Sequence, residues 1–456
     1  MFSGAAQAER KVEKLFMSTA LAFIAGSFFS AFALYHLTGG SLQQLLKPEL
    51  QQPVAADRYV GRVSDSDSKA GLQPGPSQQP IPSKPILASP TTIPASLPGS
   101  GAAKTQDAPS LQSAKTCLRL TTPSLELEYP EDAEAHFMEV NASLDSFTKG
   151  HKYHCAAGYC GPWVENHWIH HFSTLWKNRP PGTRLSDIFG PYIPILIPWV
   201  DTWVNKGGYH FPGGMIEALK KILRPNVLYI TVAQNDQGWL ARSGIREKDM
   251  PNVLVLSGGG YGHVPVPLLK ADENLTLANP VGARKYIVSF VGTLGHAPQN
   301  LRGKMAEIMQ KWAKELSITD KVNVGSDKNW RDIMTSSRFS MNPRGYGRTS
   351  YHLAETLHMG LIPIHLYIDI PWVPYMDLYQ KAGIGFNTNI TGFRPLLDKI
   401  KNMSAEEVYA MEQRVRKLRE SHFTPSGAME QISKWMTGKD GGGDLRCQQL
   451  PKSDTR

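Results

Sequence analysis

Three regimes of hydrophobic patterning divide the chain. Residues 15–35 carry no charge and are about as long as the roughly 20 apolar residues a helix needs to cross a bilayer. Pro, Ser, Gln, Gly and Ala dominate the stretch that follows, residues 38–114, which holds too few large apolar side chains to bury a core. From residue 115 onward, short β-branched runs alternate with helical spacing, as in an α/β protein with parallel sheets. A first domain, 115–283, reads as a proline-interrupted buried-strand run at 188–200, a short helix at 215–223 and strands at 227–232 and 253–257. A second, 284–440, reads as strand 286–291, helix 302–316, strand 321–324, helix 330–336, strand 338–341, helix 348–359 and strand 361–366. Ser404 and Glu407 form a capping box for an amphipathic helix running to about Glu420, expected to pack back across the domain junction, and 441–456 reads as a flexible tail.

The most specific chemistry lies at 338–375, which has the outline of a phosphate-binding strand–loop–helix–strand unit. Arg344, Gly345, Gly347, Thr349 and Ser350 surround the predicted helix start, where free backbone N–H groups and the helix dipole favour an anion. Arg348 is the candidate charged clamp, and the plainer alternative is a tight surface loop with an exposed arginine. Glu355 is an acid in a largely apolar helix, suited to accepting the two hydroxyls of a ribose. Candidate general bases come from the loops after first-domain strands: Asp236 in QNDQG first, then His263 in GGGYGH, with His210 behind them. Gly258 to Gly260 has no Lys-Ser/Thr sequel and reads as a flexible loop lining the cleft.

The net charge of +9, spread without a Lys/Arg run or a nucleic-acid motif, points to anionic ligands or a membrane surface and argues against nucleic acid. Arg10, Lys11 and Lys14 precede the uncharged segment, so the positive-inside rule places 1–14 in the cytosol, 15–37 in the membrane and the rest in a lumen, a type II topology. Lumenal placement makes sense of the glycosylation sequons at Asn141, Asn274, Asn389 and Asn402. Cys155 and Cys160 are spaced for a disulfide in a tight loop, with a metal site among the nearby histidines as the alternative; Cys117 and Cys447 lie at opposite ends of the folded region. Asp65-Ser66-Asp67 falls in the low-complexity stem and is set aside as a metal motif. Trp163, Trp168, Trp176, Trp199 and Trp203 cluster in the first domain, as core or as a sugar-stacking groove.

Residues 338–375 also resemble the C-terminal half of the exostosin glycosyltransferases: strand Ser337 to Phe339, Pro343 to Gly345, Arg348 to Ser350, the helix acid Glu355, and Gly360 to Pro363. Phe290 to Arg302 is similar to that family's F-x-G segment with a following arginine, and Tyr229 to Trp239 to its strand before the donor cleft. The resemblance covers residues 155–436. It implies a GT-B-like fold, two Rossmann-like domains facing a cleft, behind one transmembrane helix and a disordered stem. It implies an inverting transfer from a nucleotide sugar, expected to be a UDP-sugar, to a glycan, polysaccharide or glycoprotein acceptor in the Golgi. No cofactor is expected, and a divalent metal is not expected to be needed, since Arg348 and the helix dipole would neutralise the leaving diphosphate. The alternative is an inactive relative that stabilises an active transferase, so a homo- or heterodimer is a further expectation. One departure stands out: the family places an arginine after Ser350, where this chain has Tyr351 and His352.

Overall fold

The computed structural model describes residues 111–118, 126–150, 153–156, 159–204, 208–244, 247–269 and 279–448. The predicted membrane span, the stem up to residue 110 and Asn274 lie outside the described residues, while the last stem residues, 111–114, are corrected to the start of a helix with Ala114 buried. Among the described residues no helix is long and apolar enough to cross a membrane.

The first domain opens with helices α1 (Leu111–Leu118) and α2 (Ala133–Thr148) and a ribbon of β1 (Cys155–Ala156) and β2 (Tyr159–Cys160). It continues through α3 (Val164–Lys177), α4 (Leu185–Phe189), β3 (Ile193–Pro194), α5 (Trp199–Val204), α6 (Met215–Ile222), β4 (Tyr229–Ala233), β5 (Val253–Ser257) and β6 (Val264–Pro265). Strands β3 to β6 form one parallel sheet in that order, with β4 and β5 buried throughout. Such all-apolar runs are what a sheet covered on both faces requires.

The second domain holds β7 (Tyr286–Val291), α7 (Leu301–Glu315), β8 (Val322–Gly325), α8 (Trp330–Thr335), β9 (Ser337–Pro343), α9 (Tyr351–His358), β10 (Ile362–Tyr367), β11 (Phe386–Asn389), α10 (Ile390–Lys401), α11 (Ala405–Leu418) and α12 (Pro425–Thr437). Its sheet is parallel in the order β11-β10-β9-β7-β8. One face packs Ile362, Ile364 and Leu366 against Met305, Met309 and Trp312 of α7 and Phe393 and Leu397 of α10. Two Rossmann-like parallel-sheet domains thus stand in tandem.

Several expectations are corrected. The run at 188–200 yields a strand of two residues, because Pro191, Pro194 and Pro198 withhold backbone donors, and α4 and α5 flank it. The helix at 348–359 begins at Tyr351, three residues late, because the preceding backbone is held in the loop described below. The capping box at Ser404 and Glu407 is present and α11 does pack across the junction: Val408 and Met411 enter the second-domain core, while Val415 and Leu418 pack in the first-domain core. Helix α12 crosses too, with Met429, Ile432 and Met436 in the first-domain core. Nor is the start of the tail loose: Leu445 is 1% exposed, Cys447 is disulfide-bonded to Cys117, and the Gln448 amide donates to the His263 carbonyl at 2.8 Å. Cys155 and Cys160 are bonded to each other as well. Trp163, Trp168 and Trp199 are fully buried, so the tryptophan cluster is mainly core rather than an open groove.

Helix α9 is shared. Its Leu353 and Leu357 join the first-domain core, so the domains meet along an apolar seam instead of facing each other across open space on that side. Arg284 and Glu412, each with a side chain 2% exposed, form a two-pronged pair at 2.5 and 2.9 Å that fastens α11 to the segment leading into β7. Removing one partner leaves a buried charge alone, so Glu412→Ala is expected to lower the unfolding free energy by about 3 kcal/mol in denaturant titration. A loss near zero would show that water reaches Arg284.

Candidate functional site

In the second sheet the chain leaves β7 toward β8 on one side and returns to β9 on the other. The carboxyl ends of β7 and β9 therefore flank the point where strand order reverses, the place where open α/β sheets bind ligands. The loops at 292–300 and 344–350 both start there.

The second loop is built from within. Asn342 on β9 donates to the His352 carbonyl at 3.1 Å and to the Thr356 hydroxyl at 2.8 Å, pinning α9 over the strand. Arg344 turns back, Nε donating to the Gly347 carbonyl and an Nη to the Tyr346 carbonyl, both at 2.9 Å, while the Gly345 amide donates to the Thr349 carbonyl at 2.9 Å. At Gly347 the two domains come closest: an added Cβ would collide with the Gly259 carbonyl and touch the Cβ of Asp236. The Arg348 amide donates to that same Gly259 carbonyl at 3.0 Å.

This geometry corrects the expectation for Arg348. Its guanidinium is buried, donating from Nε to Asp369 at 2.7 Å and from Nη1 to the Gly260 carbonyl at 2.7 Å, and it lies over the Tyr261 ring at 4.5 Å. Arg344 reaches the other Asp369 oxygen at 3.2 Å. Burial pushes the Asp369 carboxyl upward, but the Arg348 hydrogen bond and the charges of both arginines outweigh it and hold the group below its usual value. Both arginines thus brace the loop.

The cation left over is Arg302, at the start of α7. Its guanidinium donates to the carbonyls of Arg344 at 3.1 Å, Thr293 at 2.9 Å and Pro343 at 3.4 Å, and among the described residues no carboxylate pairs with it. Burial lowers its pKa, the mark of an uncompensated charge, and Gly345 lies beside it. At the far end of the loop Ser350 is the N-cap of α9, and its buried hydroxyl makes no cap hydrogen bond and has no partner among the described residues. A partnerless hydroxyl at Ser350 and a cation without a carboxylate at Arg302 thus stand at the two ends of the 344–350 loop, and a helix start of this kind favours a negatively charged group. Glu355 is buried and bonded to His352 at 3.0 Å, and His352 meets the Phe290 ring of β7 edge-on at 5.9 Å.

From the first domain, Asp236 reaches this seam beside Gly347. Burial raises its pKa, against the pull of its own backbone amide and the Arg242 charge. His263 does not serve as expected. Its Nδ1 accepts the Val255 amide at 3.0 Å, so the ring braces the turn after β5 and that nitrogen is unavailable as a base. Tyr351, in the place where an arginine was expected, accepts a hydrogen bond from Gln234 at 2.6 Å and stacks on Tyr159 at 3.8 Å.

Of the sequons, Asn141 lies mid-helix with its amide on the Phe137 carbonyl. Asn389 caps α10 through Gly392, and Asn402 is exposed at the end of the same helix. Among the described residues no group of three His, Cys, Asp or Glu is arranged to hold a metal ion.

No family model matches the sequence, and no curated relative does. Among solved structures the chain is similar to sucrose-phosphate synthase from Thermosynechococcus elongatus at 14% identity over 52% of this chain and 70% of that one, with a TM-score of 0.30. It is similar to WaaG, a glycosyltransferase involved in lipopolysaccharide biosynthesis, at 12% identity over 69% of this chain and 98% of that one, with a TM-score of 0.30. A glycosyltransferase from Rickettsia africae matches at 10% identity over 61% of this chain and 82% of that one, also with a TM-score of 0.30.

The Asp369 ion pairs give a prediction with a definite sign. A carboxyl held below its ordinary value of 3.8 contributes stability that is present above that value and lost as pH falls through the lowered one. Thermal melts of Asp369→Asn should therefore start lower than the parent at neutral pH and converge on it below pH 3.8. A constant offset across that range would mean the pairs contribute packing rather than charge.

Proposed function

We propose that the protein is a glycosyltransferase with the two-domain GT-B arrangement, moving a sugar from a nucleotide-sugar donor, a UDP-sugar, to a glycan, polysaccharide or glycoprotein acceptor. The observation that carries this reading is the Arg302 guanidinium, paired with no carboxylate among the described residues, on the loop that leads from the carboxyl end of β9 to the partnerless Ser350 hydroxyl at the start of α9. In this reading the donor diphosphate lies between Arg302 and the backbone of Gly345, Gly347, Thr349 and Ser350. Arg344 and Arg348 hold that backbone in shape, and Glu355 accepts the ribose hydroxyls. Asp236 takes the proton of the acceptor hydroxyl as its oxygen attacks the anomeric carbon. The bond from that carbon to the diphosphate oxygen breaks with inversion, and the diphosphate leaves with the electron pair. Arg302 and the helix dipole meet the developing charge, a role a divalent ion would otherwise fill. A raised pKa suits Asp236 to that proton transfer.

The placement proposed is the Golgi lumen, with residues 15–37 as a type II anchor and the exostosin family as the nearest affiliation. All four cysteines in the chain are paired, in keeping with an oxidising compartment. A second reading is an inactive exostosin-like partner that dimerises with an active transferase; it is favoured by the commitment of Arg348 to Asp369 and by Tyr351 in the arginine's place.

The test is a melting-temperature screen with nucleoside diphosphates and nucleotide sugars, with and without EDTA. One nucleotide should stabilise the parent, EDTA should not matter, and Arg302→Ala should abolish the shift while Arg348→Ala instead lowers the unliganded melting temperature. The absence of a shift with every nucleotide would favour the inactive partner.

A further inference from the structure

The ribbon β1/β2 is too short to hold itself together: two residues face two, Cys155 opposite Cys160 and Ala156 opposite Tyr159. Two fixtures compensate. The disulfide joins Cys155 to Cys160 across the ribbon, and its base is moored to a buried carboxylate. Asp201, 1% exposed, accepts the His154 amide at 2.8 Å and the Trp163 indole at 3.0 Å through one oxygen, and the Asn166 amide at 2.8 Å through the other.

What this mooring delivers is Tyr159. Its ring stacks on Tyr351, centroids 3.8 Å apart and planes 21° from parallel, and it is one of two tyrosines, with Tyr346, whose charge is felt at Arg302. Tyr351 is the first residue of α9 and directly follows Ser350. Its position is fixed from the first domain: Gln234 donates to its hydroxyl, and the Gln234 amide is in turn held by the buried Glu165 carboxylate at 3.0 Å. A first-domain side chain thus stands over the opening of a second-domain helix, beside the spare cation.

We infer that Tyr159 is a donor-binding residue that the disulfide-bonded ribbon contributes from the first domain, its ring walling the diphosphate crevice between Arg302 and the start of α9. The inference deepens the sugar-transfer reading and rests on it. A wall of this kind excludes water from the charge pair and strengthens its attraction for phosphate.

Isothermal titration of the protein with inorganic pyrophosphate and with each common nucleoside diphosphate tests it. Tyr159→Ala should weaken binding about tenfold, the scale of one aromatic contact, while Tyr159→Phe, which keeps the ring, should bind like the parent. The double variant Cys155→Ser, Cys160→Ser leaves Tyr159 in place but frees its support, and should weaken binding similarly without a change in the bound stoichiometry. Parent-like affinity in both Tyr159→Ala and the double cysteine variant overturns this inference alone. A parent protein that binds none of the probes overturns the sugar-transfer reading and this inference with it.

Discussion

A close backbone approach joins the two domains where Gly347 lies against the Gly259 carbonyl and Asp236. Any side chain at Gly347 would force the domains apart, and with them the Arg348 amide from Gly259 and its guanidinium from Gly260. Because this contact sits at the carboxyl edge of both sheets, it brings the loop after β4, with Asp236, against the loop after β9. The shared α9, with Leu353 and Leu357 in the first-domain core, makes the approach an apolar seam as well as a polar one.

Charge is allocated unevenly around that contact. Arg344 and Arg348 divide one carboxylate, Asp369, and spend their remaining donors on loop carbonyls. They preorganise the loop at the cost of being poor partners for a ligand. Arg302 is satisfied as a hydrogen-bond donor yet not as a charge, and an arginine in that condition attracts an anion without having to break an existing pair. The same division explains why a lowered carboxyl at Asp369 and a raised one at Asp236 occur within one seam: the first faces two cations, while for the second burial outweighs the pull of the exposed Arg242.

Much of the fold is legible in the sequence wherever a local pattern suffices. Strands β4, β5, β7 and β10 appear within two residues of the apolar runs that announce them, and the Ser404 capping box forms as spelled. Patterns dependent on partners far away are not legible. The apolar stripe of α12 looks like any amphipathic helix, and nothing local says that it crosses to the other domain. Cys447 and Leu445 in a glycine-rich tail give no hint of Cys117, 330 residues upstream. In the site, the glycine loop and Asp236 are found by motif and position, but motif reading assigns the ligand's charge to Arg348 because it cannot see Asp369. Asp369 does carry a signal, as an acid just past the end of a buried strand. Tyr159 and Gln234 carry none, since a tyrosine between cysteines and a glutamine after a strand acquire meaning only through Tyr351.

The central claim is that the crevice between β7 and β9 holds an anion whose charge is met by Arg302. A crystal structure of the protein grown with the nucleoside diphosphate that binds it would locate the phosphates directly. The account predicts them within hydrogen-bond reach of Arg302 and of the Ser350 hydroxyl, with the Arg348–Asp369 pair unbroken. Phosphates bound by Arg348 after release from Asp369, or lying elsewhere on the molecule, would contradict it.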